Sequence, residues 1–157
     1  ALAANYAFGL ETIERHRETV ESFGPWVRDY MNAAGLQPKI PPLPTESIFF
    51  TNFFLARIDW WETPEVQRFL GAVNASGGVY RHRWGDAPIQ TAALRMHAAP
   101  ASVIQIDIDY LHMSTRNRIV HGIEVPFNAE GIANRHFRRL VANETGNESN
   151  GSNRSNG

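Results

Sequence analysis

The stretch that most limits the fold is Ile48 to Leu55, IFFTNFFL, apolar on both alternating faces and rich in aromatic rings. Successive side chains of a strand point to opposite faces, so a run that is apolar at odd and even positions needs cover on both sides. This predicts a buried strand inside a layered α/β domain. Asn52 is the strongly polar side chain in the run. A buried amide must be hydrogen-bonded, so Asn52 either satisfies neighbouring backbone or points into a site.

The other elements are read from period and punctuation. Thr63-Pro64-Glu65 is a helix start, and Val66, Phe69, Leu70 and Val73 follow at i, i+3, i+4 and i+7. Asn74 to Gly78 closes that helix. Residues 10–33 read as helix, with Leu10, Ile13, Val20, Val27, Tyr30 and Met31 on one stripe. Gly24-Pro25 is expected to divide it in two, and Gly35 to end the second half. Gln37 to Thr45 contains four prolines and reads as an extended connector. Val79 to Arg83 is expected as a strand leading to a helix, Ser102 to Asp109 as another strand, and Ala129 to Asn143 as a last helix. Strands alternating with helices define an α/β class, in which ligands bind beyond the carboxyl ends of strands. Asp86, Asp109 and His112 fall just past such ends.

Length and charge narrow the function classes. The 157 residues suffice for one core, assigned to 1–142. From residue 143 onward Asn, Ser and Gly dominate, a composition that cannot bury a core, and a disordered tail is expected. Net charge is −1 without a basic block, so nucleic acid is not an expected partner. There is no cysteine, which removes disulfides and thiolate chemistry. No run approaches a membrane span, so any membrane attachment would come from a segment outside this chain. The start at Ala1, without an initiator methionine or signal-like segment, suits a processed product or a piece of something longer.

The chemistry concentrates in Arg83-Trp84-Gly85-Asp86-Ala87-Pro88-Ile89-Gln90. Asp86 sits where a helix cap belongs, with Ala87-Pro88 suited to the first turn, and is expected to act as an acceptor or base. Trp84 offers a flat face on which a sugar ring could stack, and Arg83 could neutralise Asp86 or a phosphate oxygen. The same residues also allow a plain structural reading: a cap, its ion-pair partner and a core indole. The six histidines lack HExxH or HxH spacing. His112, after Asp107 and Asp109, is the one placed as a candidate ligand for a divalent cation.

Several segments together resemble the fungal-type α-1,2-mannosyltransferase family: Tyr6-Ala7-Phe8-Gly9, Phe49-Phe50-Thr51-Asn52-Phe53, Asp59-Trp60-Trp61, Gly77-Gly78-Val79-Tyr80, the Arg83 to Pro88 run and Ile108-Asp109-Tyr110-Leu111-His112. The resemblance implies a GT-A-like fold, of which this chain would be the C-terminal portion, its mixed sheet flanked by helices. It implies retaining transfer of mannose from GDP-mannose to a mannose-ended glycan, assisted by Mn2+, on the lumenal side of the Golgi membrane. By resemblance Asp86 is the catalytic-site aspartate and His112 the metal ligand; beside them Arg83 is expected to orient Asp86, and Trp84 and Asn52 to shape the sugar pocket, all three as substrate-binding residues. The position matching the family's candidate catalytic glutamate holds Phe54, and a phenyl ring is neither nucleophile nor base. Most of the family's nucleotide pocket precedes the segment resembling Tyr6 to Gly9. A non-catalytic carbohydrate-binding or accessory domain is therefore the alternative expectation.

Overall fold

A computed structural model describes residues 4–41 and 47–106, and the backbone of 117–120 and 123–126. The elements run β1 (Tyr6–Phe8), β2 (Glu11–Ile13), α1 (Arg17–Ala34), β3 (Ser47–Phe49), β4 (Phe54–Ala56), α2 (Ile58–Trp61), α3 (Pro64–Ser76), α4 (Gly78–Arg81), α5 (Asp86–His97), β5 (Val103–Gln105), β6 (Asn117–Val120) and β7 (Ile123–Pro126). One sheet has the order β4-β1-β5 and the other β3-β2-β6-β7. In the first, β1 runs antiparallel to β4 and parallel to β5, with Tyr6 opposite Val103. All described pairings of the second sheet are antiparallel. This is the expected α/β class with a mixed sheet.

Several local expectations are corrected. Residues 10–13 are not helical: Leu10 and Thr12 are buried while Glu11 and Ile13 are partly exposed, which is the period of a strand. Helix α1 therefore begins at Arg17 and continues through Pro25 without division. An interior proline costs about 3 kcal/mol. Burial of Phe23, Val27 and Met31 on the core face contributes about 1.5–3 kcal/mol for each side chain, enough to keep the helix whole. Gly35 ends it as expected, at φ 63, with its N–H donated to the Asn32 carbonyl at 3.2 Å.

The run from Ile48 to Leu55 is two strands rather than one. Ile48 and Phe49 are buried in β3, a turn occupies residues 50–53, and β4 lies at the sheet edge with exposed side chains. Val79 to Arg83 forms no strand, because Gly77 at φ 66 closes α3 and the single turn α4 follows at once. Thr63 and Pro64 open α3 as expected, and Val66, Phe69 and Val73 are its buried residues. Strand β5 is limited to Val103–Gln105 after a 3-10 turn at Pro100–Ser102. The expected helix at 129–143, the tail from 143, and Asp107, Asp109 and His112 lie outside the described residues.

Helix α5 is the central element. Ala87, Pro88, Thr91, Ala92, Ala93, Leu94, Arg95 and Met96 are all buried, so it is covered on nearly every side. One cluster joins Ala92, Ala93 and Met96 to Phe23, Val27, Phe69, Val73 and Trp84; a second joins Leu94 to Tyr6, Phe8 and Phe49. Thr91 also ties α5 to β3, its Oγ1 accepting the Phe49 N–H at 2.8 Å.

Candidate functional site

The approach to α5 sends consecutive side chains in different directions. Arg83 has φ 54, the left-handed region, which a residue with a Cβ adopts only under constraint. The constraint is visible: Thr19 donates its hydroxyl to the Arg83 carbonyl at 3.0 Å, and the Arg83 Nη1 lies 3.3 Å from His16 Nε2. Arginine only donates, so His16 Nε2 is assigned as acceptor and Nδ1 as the protonated nitrogen, facing Thr19 Oγ1 at 3.3 Å. Arg83 thus belongs to a closed polar circuit at the start of α1. Among the described residues it makes no ion pair with Asp86, which corrects the expected partnership.

Trp84 turns the other way. It is only 4% exposed, donates its indole N–H to Ser22 Oγ at 2.8 Å, and sits 5.0 Å, ring centre to ring centre, from both Phe23 and Trp26. The sugar-stacking role expected for Trp84 is corrected: both faces are taken by the core. A Cβ added at Gly78 would lie 2.4 Å from this indole, which gives the Gly77-Gly78 pair a packing reason. Asn52 is exposed in the turn between β3 and β4. Its expected burial is corrected too, because the strand ends before reaching it.

Asp86 is one residue inside α5, so the cap position falls on Gly85 rather than on Asp86 as expected. Pro88 still lies in the first turn, where a missing N–H leaves no helical bond unmade. An acidic side chain at that end is favoured by the helix dipole. From here Asp86 opens on a cavity of about 590 Å3. Phe54, Ala56, Ile58, Trp61, Leu70 and Ile89 form its apolar walls. Its polar lining comes from Asp86 and Gln90, one helical turn apart on α5.

Beneath this cavity stands Tyr6. Its ring stacks on Phe54 at 5.3 Å and 18° between planes, and its hydroxyl donates to Gln90 Oε1 at 3.2 Å. Burial, and then the negative charge of Asp86, raise the Tyr6 pKa and keep the phenol protonated. Of the sequence-derived candidates, Asp86 and Phe54 meet at one cavity, whereas Arg83, Trp84 and Asn52 do not line it.

Sequence reasoning missed a second polar centre. Arg95, buried in α5, donates from Nη2 to Glu11 Oε1 at 2.8 Å and to Ser47 Oγ at 3.1 Å, and Ser47 in turn donates to Glu11. Its guanidinium lies 5.2 Å from the centre of the Phe49 ring. The group fastens β2, β3 and α5 together. The available signal was an arginine between Leu94 and Met96, in the small and apolar stretch from Ala92 to Met96.

Among the described residues no three of His, Cys, Asp and Glu gather as a metal site. No described helix is long and apolar enough to cross a membrane.

The fold and the cavity can now be compared with known proteins. The described α/β fold matches yeast mannosyltransferase Ktr4p from S. cerevisiae with a TM-score of 0.63 at 21% identity, covering 74% of this chain and 34% of Ktr4p. It matches core-mannan synthase A from Aspergillus fumigatus, in a Mn/GDP form, with a TM-score of 0.57, also at 21% identity, over 65% and 32% of the two chains. This likeness is one of fold: the chain adopts the architecture of part of a mannosyltransferase. Its sequence is similar to the same kind of protein. Residues 45–121 match the family model described as glycolipid 2-alpha-mannosyltransferase. The O-glycoside alpha-1,2-mannosyltransferase omh1 of Schizosaccharomyces pombe is 30% identical over 104 residues, 59% of this chain and 26% of that protein. The probable mannosyltransferase MNT3 of Candida albicans is 27% identical over 116 residues, 69% and 30% of the two. The chain is thus similar in sequence to fungal α-1,2-mannosyltransferases, and spans about a third or less of the length of these relatives.

Proposed function

We propose that this chain forms the Asp86-bearing part of a glycosyltransferase that moves mannose from GDP-mannose to a mannose-ended glycan in α-1,2 linkage, with retention. The observation that supports this most is the cavity shared by Asp86 and Phe54, the two positions that the family resemblance assigns to the reacting sugar. The Asp86 carboxylate accepts a hydroxyl proton or stands against positive charge at the anomeric carbon. The apolar walls offer Trp61 and Phe54 to the C–H face of a sugar ring. Phe54 excludes a double displacement through its own position, so Asp86 is the nucleophile or reaction is confined to one face of the sugar.

Manganese belongs to the proposal through a relative alone, the Mn/GDP form of core-mannan synthase A. His112, the residue assigned to it by resemblance, lies outside the described residues, and no step here runs through the ion. A bound Mn2+ would offset charge on the donor's diphosphate. The Golgi lumen as working compartment, with membrane attachment through a segment outside this chain, follows from the family by the same route.

Asp86→Asn in the full-length protein is expected to lower transfer from GDP-mannose at least 100-fold, measured with a radiolabelled donor, while leaving the melting temperature within a few degrees. Retained transfer removes Asp86 from the chemistry. Phe54 supports a second reading, a sugar-binding domain without turnover: there the wild-type protein binds a mannoside and consumes no donor.

A further inference from the structure

The proposed function gives the cavity a sugar but leaves open how its hydroxyls are recognised. Asp86 and Gln90 stand at i and i+4 on α5, so their side chains are neighbours on one helix face, and both line the cavity. A carboxylate accepts hydrogen bonds only. A glutamine amide offers one acceptor and two donor hydrogens, and which end faces the ligand is normally free. Here the buried Tyr6 phenol assigns it, because among the described residues its hydroxyl hydrogen has Gln90 as its partner and needs the amide oxygen as acceptor. The Tyr6 hydroxyl is directed at Gln90 Oε1 from the buried side, with the Tyr6 residue 1% exposed and its ring held against Phe54 and Phe49. With its oxygen engaged below, the amide presents Nε2 toward the cavity.

We propose that Gln90, oriented by Tyr6, is a specificity residue that donates to one sugar hydroxyl while Asp86 accepts from its neighbour, so that the cavity selects a ligand with two adjacent hydroxyls. The proposal rests on the functional reading above. It deepens that reading by naming a donor–acceptor pair where the family resemblance supplies only Asp86. A hydroxyl missing from the ligand leaves Asp86 or Gln90 without its bond in the complex, which sharpens the choice. Gln90 touches the ligand. Tyr6 acts only through Gln90 and is a positioning residue.

The test uses full-length protein and methyl α-mannopyranoside, with its monodeoxy analogues, followed by ligand-observed NMR titration. Gln90→Leu is expected to weaken mannoside binding about tenfold and to erase the preference over one deoxy analogue. Gln90→Glu keeps the shape but replaces donor with acceptor, and is expected to weaken binding at least as much. Tyr6→Phe is expected to cost about threefold, and Tyr6→Phe combined with Gln90→Leu no more than Gln90→Leu alone. Circular dichroism melting establishes that each variant is folded. If both Gln90 variants bind like wild type while Asp86→Asn loses binding, the inference is overturned and the proposed function stands. If the Tyr6 and Gln90 effects add in the double variant, Tyr6 acts by packing and the positioning claim is lost. If the wild type binds no mannoside, the functional reading itself fails.

Discussion

Two aromatic groups flank the start of α5, and they differ in what they leave open. On one side Trp84, Phe23 and Phe69 are each under 5% exposed, with the indole hydrogen bond to Ser22 satisfied inside the cluster. On the other side Tyr6 is equally buried, but Phe54 above it is 37% exposed and Ile58 74%. The residues between them, Gly85 and Asp86, separate a sealed half from an open one. Rings of the same kind hold the molecule together where both faces are covered, and line an open cavity where one face is left bare. Stability should therefore respond to changes on the Trp84 side and ligand binding to changes on the Phe54 side.

The most severe way to test this contrast is Trp84→Ala, expected to destabilise the chain by about 3–5 kcal/mol, as seen by urea denaturation. A loss under 1 kcal/mol would show that the cluster is not the anchor. Gly78→Ala presses on the same indole from outside and is expected to cost about 1–3 kcal/mol, because the added Cβ meets the ring at 2.4 Å and the backbone must shift. On the open side Phe54→Glu is expected to cost less than about 1.5 kcal/mol, since the ring is already partly in water. Its larger consequence is a new carboxylate beside Asp86. A gain in GDP-mannose turnover by Phe54→Glu would support the enzymatic reading, and improved stability without turnover would favour the sugar-binding one.

The smallest expected effect concerns acid. Burial first, then the positive charges of Lys39 and Arg68, hold the His97 pKa below its ordinary 6.5, with Glu65 opposing them. The folded chain therefore prefers neutral His97, so this stability is present above about pH 6.5 and is lost as pH falls below it. His97→Gln is expected to flatten the dependence of the melting temperature between pH 7 and 5. An unchanged slope would assign the acid sensitivity elsewhere.

How much of this was legible depended on whether the deciding partner was near in sequence. Helix α3 was readable because Thr63-Pro64 and the i, i+3, i+4, i+7 pattern are local, and so was the stop at Gly35. The start of α1 was not. Leu10 and Ile13 suit a helical stripe, and it is pairing with the distant strands β3 and β6 that makes that segment a strand. Ile48 to Leu55 looked like one covered strand because apolar content does not show where a chain turns. At the site, Asp86 was legible from the helix start that follows it, but Trp84 was not, since indoles serve cores and sugar sites alike. Gln90 closes the Arg83 run but carries no role in the sequence, and Arg95 does not stand out, because their partners, Tyr6 and Glu11, each lie 84 positions away.

The pairing of Tyr6 with Val103 has a consequence for biosynthesis. A chain made at about 5–20 residues per second exposes the apolar strand β1 for roughly 5–20 s before β5 has been synthesised. Until then β1 has only the later-made, antiparallel β4 for a neighbour. The strand beneath the cavity thus leaves the ribosome well before the strand that completes its cover, so a chaperone that binds extended apolar segments would find a target at Tyr6–Phe8.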